Sequence, residues 1–448
     1  MNPAVLLLTG GALLLAAPRL GDPWPLPAPT RAVLPGGVRA LVMPEPALAS
    51  TTLLMMSNHG ALDELAGQDG ALSLVAATLA CQASDPGNPL GFAGGRMRAR
   101  VDWQELELAV EFPGGSLDAA AQALGAALRQ PALRETCLRR AEQALRLEEV
   151  ANREATSAAL EQALFPGHRR GRPLLGSPAS RARATPASLA ALWSAQTQAP
   201  ALWVVVIGPV EIDSTLQILT RHLADLGSSA ASPAPPPPPA SEETARATVV
   251  DAPGSSLATL WIAQRLPLDS SHSLPEHLLL DEAWLHAGAP RSLAARGCRS
   301  TRGRDTAGVE ASTDALILRC PGLEPESVRA VLDQAALDLG RLRQKPLAPR
   351  ALRELKDQQH GRLALQHESA LVQARSLARL EREGTRAEVL AQAPAKLEAI
   401  SARDLQSAAL GVLSPLALRA VVLGPAERLR PQLADLLGAA APDATGDR

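Results

Sequence analysis

Short apolar runs alternate with longer amphipathic stretches along the chain, and this order predicts an α+β fold. Residues 31–43 form two apolar runs around a Pro-Gly-Gly sequence, a pattern typical of two strands joined by a turn. Residues 51–57 predict a further strand, and the Ala-rich residues 70–81 predict a buried helix.

Residues 103–112 alternate between two kinds of side chain. One set is Trp103, Glu105, Glu107, Ala109 and Glu111, and the other is Leu106, Leu108, Val110 and Phe112. This period of two predicts a strand with one buried face. Residues 117–128 and 135–164 then predict helices that pack on an antiparallel or mixed sheet.

The clearest boundary lies at residues 228–246, which read SSAASPAPPPPPASEETAR. A proline run favours a stiff polyproline II spacer and cannot join the interior of a sheet. It separates an N-terminal half at 28–227 from a C-terminal half at 247–440, each of ordinary domain size. We expect residues 441–448 to form a disordered tail.

The two halves share features in the same order. Residues 202–211 and 418–427 each form an apolar run that ends in Gly-Pro, and each precedes a helix containing Leu-Ala-Asp-Leu. Each also follows a helix with a capping residue, Thr185 or Ser401. This order predicts an internal duplication. We therefore expect two homologous halves, each a mostly antiparallel sheet covered by helices, joined by the Pro-rich linker.

Composition and the N-terminus bear on partners and location. The formal net charge of −2 gives no electrostatic reason to expect nucleic acid. Residues 5–17 are apolar but shorter than the roughly 20 residues of a membrane span, so residues 1–22 predict a signal peptide or an N-terminal anchor. We expect a periplasmic or secreted protein without membrane contact beyond this leader.

The cysteines leave two interpretations open. Cys81, Cys137, Cys298 and Cys320 form no CxxC pair, which excludes a zinc ribbon. One disulfide within each half (81 with 137, 298 with 320) fits an oxidising compartment, and buried free thiols fit equally well.

Three segments resemble the pitrilysin/insulinase family of zinc peptidases, which includes the mitochondrial processing peptidases. Residues 34–42, LPGGVRALV, resemble the opening strand pair of that family, and residues 52–64, TLLMMSNHGALDE, resemble its next strand. Residues 163–176, ALFPGHRRGRPLLG, are similar to its helix-and-loop segment. The resemblance covers nearly the whole chain after the leader and implies the same two-half architecture.

The metal-binding motif of that family is missing. Members carry H-x-x-E-H on a helix, where two His bind Zn²⁺ and the Glu polarises a metal-bound water. The corresponding positions here are Ser73, Ala76 and Ala77. The distal carboxylate remains as Glu149, with Glu142 seven residues before it. One carboxylate cannot hold Zn²⁺ tightly, so the sequence predicts no metal, no cofactor and no catalytic residue, and solvated or Arg-paired roles for both Glu.

Peptide contact does not depend on the metal. Active members bind peptides by adding them to a sheet edge beside the zinc helix. The resemblance places this edge at residues 94–101, which makes Arg98, Ala99 and Arg100 the candidate substrate-binding residues. Arginines on an edge also block unwanted pairing, and both interpretations stay open.

Some bacterial members act as pairs, in which a zinc-free chain offers an Arg and a Tyr. The matching positions here are Leu293 and Ser300, and the chain contains no Tyr. Glu282 and His286, with His277 nearby, are the remaining candidates for a metal cluster, and surface roles explain them more simply.

We therefore predict an inactive homologue that pairs with a homologous zinc peptidase chain, or with itself, and helps enclose peptide substrate. The alternatives are a stand-alone protein that binds peptides or envelope components, and a zinc metalloendopeptidase with a non-standard site.

Overall fold

The computed structural model confirms an α+β fold built from two similar halves. It describes residues 27–65, 67–83, 91, 94–113, 115–152, 154–227, 246–266, 274–287, 292–300, 315–386 and 388–437. The predicted leader, most of the Pro-rich linker and the predicted tail lie outside these residues. Within these ranges, no helix has both the length and the apolar character needed to cross a bilayer.

The strands of the first half form one sheet, here called sheet A. They are β1 (Thr30–Val33), β2 (Arg39–Pro44), β3 (Ser50–Ser57), β4 (Arg96–Val101), β5 (Leu106–Pro113) and β6 (Leu202–Gly208). Their order is β1-β2-β6-β3-β5-β4, and every neighbouring pair is antiparallel except β2 with β6.

The strands of the second half form sheet B. They are β7 (Ala247–Asp251), β8 (Ala258–Arg265), β9 (Arg299–Ser300), β10 (Ala315–Leu323) and β11 (Arg419–Gly424). Their order is β7-β11-β8-β10-β9, with only β7 and β11 parallel. Sheet B thus repeats the order and directions of β2-β6-β3-β5-β4, as the duplication predicts.

Helices cover both sheets. In the first half they are α1 (Ala71–Ala83), α2 (Leu117–Arg129), α3 (Glu135–Asn152), α4 (Glu154–Leu164), α5 (Pro178–Arg181), α6 (Pro186–Gln196) and α7 (Ile212–Leu223). In the second half they are α8 (Leu274–His286), α9 (Val328–Gln344), α10 (Pro349–His367), α11 (Ala370–Arg382), α12 (Val389–Ala399), α13 (Ala402–Val412) and α14 (Ala426–Leu433). The helices predicted at 70–81, 117–128 and 135–164 are all present, the last of them as two helices.

Each half encloses its own apolar core between its sheet and its helices. The second face of each sheet is covered by a helix from the other half. Helix α11 packs on sheet A, where Leu371, Ala374 and Leu377 join an apolar cluster with β2, β3 and β6. Helix α4 packs on sheet B, where Leu160, Leu164 and the following Phe165 join an apolar cluster with strands of that sheet. Because the halves exchange these helices, neither sheet has a fully solvated face.

This exchange corrects the expectation that residues 103–112 bury only one face. Strand β5 begins at Leu106, and Glu105 and Glu107 on its supposedly exposed face are buried. Arginines of α11 form ion pairs with both carboxylates. A strand that alternates Glu with Leu can therefore be buried on both faces when a cationic helix covers the polar one.

Both disulfides named from the sequence are formed. Cys81 of α1 bonds Cys137 of α3, and Cys298 bonds Cys320 of β10. Each bond lies within one half, so neither links the two halves covalently.

Candidate functional site

The helix that corresponds to the zinc helix is α1, and Glu64 caps its N-terminus. The Glu64 carboxylate accepts hydrogen bonds from the backbone N–H of Gly70 at 2.9 Å and of Leu72 at 2.7 Å. Burial raises the pKa of Glu64 to about 7, although these two donors oppose the shift. Helix N-terminal N–H groups need such acceptors, so Glu64 is a structural residue of α1.

Two glycines hold the family-like segment 163–176 against the start of α1. Gly70 and Gly176 both have positive φ, at 83° and 67°. A Cβ on Gly70 would lie 1.9 Å from the Leu175 carbonyl oxygen, and a Cβ on Gly176 would lie 1.9 Å from that of Asp69. Only glycine allows this approach and this backbone conformation. The segment therefore packs against and supports the start of α1.

The positions that would bind and activate the metal carry no suitable groups. Ser73 and Ala76 are buried, Ala77 is partly buried, and all three lie on α1. The Ser73 hydroxyl oxygen is buried and has no hydrogen-bond partner among the residues that the structure describes. A hydroxymethyl and two methyl groups offer neither the imidazole nitrogens nor the carboxylate that the chemistry needs. These residues do not fit Zn²⁺.

Glu142, one of the two remaining carboxylates, is held by arginines. Its oxygens accept from Arg181 Nε at 2.7 Å and Nη2 at 3.2 Å, and from Arg146 Nε at 2.9 Å. The Arg181 side chain is fully buried and also donates to the Leu175 carbonyl. Burial of Glu142 raises its pKa, but the two guanidinium groups outweigh this effect and lower the pKa below its ordinary value. Glu142 is thus an ionised partner of a buried cation, as expected for an Arg-paired helix carboxylate.

Glu149 belongs to the same helix, α3, but its side chain lies outside the described part of the structure. Its predicted role therefore stays a prediction.

The second-half candidates do not assemble a metal site within the described ranges. His286 Nε2 lies 3.9 Å from the Glu282 carboxylate, which also pairs with Arg362. The side chain of His277 lies outside the described residues.

The two positions that match the Arg and Tyr of paired family members are buried structural residues. Leu293 packs in the core of the second half, and the Ser300 hydroxyl donates to Asp281.

The residues predicted to bind peptide lie on a strand beside α1. Strand β4 is the last strand of sheet A and packs against that helix. Ala99 joins the core on the helix side, Arg98 is exposed, and Arg100 is half-buried. Arg98, Ala99 and Arg100 therefore lie on the outermost strand of sheet A among the residues that the structure describes. Their role in peptide binding stays a prediction.

One group of charged residues was not predicted as an interface. Arg375 binds both carboxylate oxygens of Glu107, at 2.7 and 2.6 Å. Arg379 likewise binds both carboxylate oxygens of Glu105, and Arg382 Nη1 donates to Glu105 Oε2 at 3.1 Å. Burial raises the pKa of Glu105, but the adjacent Arg379 and Arg382 lower it overall. The signal in the sequence was two Glu inside an apolar run, together with Arg at 375, 379 and 382 on one helix face.

Comparison with known proteins supports the fold. No protein-family model matches the chain, and no curated protein matches it. Solved structures do match. A protease from Helicobacter pylori has a TM-score of 0.74 at 15% identity, with 89% of this chain and 100% of that chain covered. A peptidase M16 inactive domain from Pseudomonas fluorescens has a TM-score of 0.76 at 14% identity, with 89% and 98% covered.

A larger relative is also similar. The periplasmic protease PqqL from Escherichia coli has a TM-score of 0.69 at 15% identity, and the match covers 94% of this chain but 50% of that chain. The chain thus has the two-half fold of M16, or pitrilysin-like, peptidases and of an inactive domain of that type. The resemblance drawn from the sequence segments is confirmed at the level of the fold.

Proposed function

We propose that this protein is a catalytically inactive member of the pitrilysin-like fold group. The observation that carries the proposal is the chemistry of α1 and α3. The helix offers Ser73, Ala76 and Ala77 where a metal and a base would be needed, and Arg181 holds the neighbouring carboxylate of Glu142. A scaffold that keeps Gly70, Gly176 and the capping Glu64 but lacks the metal ligands and the catalytic base is typical of a role in binding or assembly.

We propose further that the chain works as a non-catalytic subunit. It corresponds in length to half of PqqL, a protease that contains a second portion of similar size. We propose that a unit of this size encloses a peptide only together with another unit. The partner we propose is a homologous chain with an intact zinc site, or a second copy of this chain, and the shared ligand is an extended peptide on the edge of β4.

The proposed location is the periplasm or the exterior. Three features support it: the predicted leader at 1–22, the two disulfides, and the similarity to a periplasmic protease. Disulfides of this structural kind persist in oxidising compartments.

Metal analysis tests the absence of catalysis. The purified chain should contain far less than one zinc per molecule, and it should not cleave unstructured peptides. A matched variant, Glu149→Gln, should leave the metal content unchanged. Stoichiometric zinc that Glu149→Gln removes, or peptide cleavage that a chelator abolishes, would overturn the proposal.

Association tests the subunit role. Cross-linking in the native host, followed by purification, should recover a homologous zinc-bearing chain or a dimer of this chain. Recovery of the protein only as a monomer that binds peptide would favour the stand-alone binding function instead.

A further inference from the structure

The two long helices that precede the exchanged helices are anchored differently. Helices α3 and α10 correspond to each other, because each is followed directly by the helix that covers the other half's sheet, α4 or α11. In the described part of α3, the buried side chains form one stripe at every fourth position: Cys137, Ala141 and Leu145. Two of these three side chains are small, so the apolar contact that holds α3 is narrow.

Helix α10 has a wider buried face and contains no cysteine. Its buried residues in the described range are Leu352, Leu355, Lys356, Gln359, His360 and Leu363. Polar contacts add to this face. Arg362 pairs with Glu282 of α8, and Lys356 donates to the backbone carbonyl of Glu398 near the end of α12. Side-chain packing therefore anchors α10 along most of its length.

A disulfide joins α3 to α1. Cys81, in the last turn of α1, bonds Cys137, in the first turn of α3, across 56 positions. The ion pair of Glu142 with Arg181 holds the middle of α3. A covalent bond that closes so long a loop removes much of the entropy that the chain would gain by opening. Breaking the bond therefore removes a large share of what anchors α3.

The two disulfides differ in how well solvent reaches them. Cys81 is half-buried and Cys137 is 1% exposed, whereas Cys298 and Cys320 are 3% and 0% exposed. Thiol–disulfide exchange requires a thiolate to reach one of the two sulfurs, so access controls its rate. A dithiol should therefore reduce the Cys81–Cys137 bond first, by attack at the Cys81 sulfur.

We propose that the Cys81–Cys137 disulfide is a redox-sensitive switch that holds α3 on α1. A dithiol attacks Cys81 as a thiolate and forms a mixed disulfide, and the Cys137 sulfur leaves. The second thiol of the reductant then displaces Cys81. The two protein sulfurs take up the two electrons and the two protons that the reductant gives up, and the reductant becomes a disulfide.

Reduction opens the chain locally at α3. Helix α4 stays on sheet B, because Leu160, Leu164 and the following Phe165 anchor it in the apolar cluster there. This inference goes beyond the proposed function, since it concerns the first half alone and holds whether or not the chain binds a partner.

Graded reduction tests the order in which the two bonds break. The purified full-length chain is treated with rising dithiothreitol under native conditions, free thiols are alkylated, and peptide mass spectrometry locates the labels. Cys81 and Cys137 should be labelled at a concentration at least about tenfold lower than Cys298 and Cys320. Equal labelling of all four, or earlier labelling of Cys298 and Cys320, would overturn the inference.

Hydrogen exchange tests the opening of α3. After reduction, the backbone amides of residues 135–148 should exchange at least about tenfold faster, because the closed loop no longer opposes opening. Amides of α4 and α10 should keep their rates, and reoxidation should restore α3. Unchanged exchange in α3 after reduction would contradict the switch. Equal acceleration in all three helices would also contradict it, since that result indicates general unfolding.

Matched variants assign the effect to one bond. Cys81→Ala/Cys137→Ala should show fast exchange in α3 with and without dithiothreitol, whereas Cys298→Ala/Cys320→Ala should respond to the reductant as the parent chain does. The reduced parent chain gives the same comparison without a substitution, so the test remains decisive even for a variant that does not fold. Slow α3 exchange in a folded Cys81→Ala/Cys137→Ala chain would exclude the switch. Zinc content measured on the same sample reports separately on the proposed absence of catalysis.

Discussion

The two sheets receive a helix from the opposite half, but the chemistry of the two contacts differs. On sheet A, α11 combines an apolar centre with ion pairs between its arginines and Glu105 and Glu107. On sheet B, α4 places Leu160, Leu164 and Phe165 on a cluster of apolar side chains. One duplicated architecture therefore accepts two different ways of covering a sheet.

The difference follows from the side chains that each sheet places on its covered face. Glu107 of β5 and Glu105, which immediately precedes the strand, are carboxylates that are expensive to bury, so the covering helix must bring cations. The covered face of sheet B is mainly apolar. Its cations lie over the ring of Phe165, with Arg170 at 4.1 Å and Arg265 at 4.5 Å from the ring centroid, and Arg170 also pairs with the buried Glu161 of α4 at 3.1 Å. We expect the contact on sheet A to respond to charge and pH, and the contact on sheet B to respond mainly to volume.

The largest effect is expected at the apolar contact. Phe165→Ala should lower the free energy of unfolding by about 4 kcal/mol, because it removes a ring that is 1% exposed and leaves a cavity between the halves. Urea titration followed by tryptophan fluorescence measures the change. Phe165→Leu, which preserves most of the volume, should cost less than about 1.5 kcal/mol. Equal losses for the two variants would contradict a contact governed by volume.

The charged contact should depend on both partners. Arg375→Met strands the Glu107 carboxylate, whose side chain is 2% exposed, and should lower the free energy of unfolding by about 3 kcal/mol. The double variant Glu107→Leu/Arg375→Met should recover most of this loss, because no unpaired charge remains. The same urea titration measures the cycle. Additive losses in the double variant would show that the pair is not coupled.

A buried carboxylate in the first half should make stability depend on pH. The pKa of Glu64 is about 7 in the fold against 4.5 in the unfolded chain, so the folded state binds more protons between these values. Stability from this group is thus full below about pH 4.5 and falls as the pH rises to about 7. Between about pH 5 and 7.5 the loss should be about 2 kcal/mol.

Glu64→Gln should remove this slope, because an amide does not titrate. Unfolding free energies of both proteins at the two pH values measure the effect. Glu105 titrates with the opposite sign, since its pKa is lowered and its contribution is lost only in acid. An unchanged slope in Glu64→Gln would assign the pH dependence to other groups.

The smallest effect is expected at the exposed border of the interface between the two halves. Arg31 pairs with Glu381 and Glu388 of the second half at 2.6 and 2.7 Å, and its side chain is 36% exposed. Arg31→Gln should cost less than about 1 kcal/mol, and the cost should vanish in high salt. A loss as large as that of Arg375→Met would show that exposure does not separate the two ion-pair sites.

Much of the fold could be predicted from local pattern. The turn at 35–37, the strand at 51–57 and the helix at 70–81 follow from the spacing of apolar residues and from Gly and Pro, which act through the nearest neighbours in the chain. The assignment of Ser73, Ala76 and Ala77 to the metal-binding positions rests on the spacing of a family motif and stays a prediction. The partner of Glu142 could not, because Arg181 is separated from it by 39 positions and joins it only when α5 packs against α3.

By itself, the sequence determined the duplication and most of the order of strands and helices in the first half. Tertiary structure alone decided which polar residues are buried. Glu107 binds Arg375, which is 268 positions away in the sequence. The residues next to Glu107 do not determine whether its carboxylate faces water or a guanidinium group. Periodicity reports that a strand has two kinds of face, whereas the nature of the surface against each face depends on contacts between distant parts of the chain.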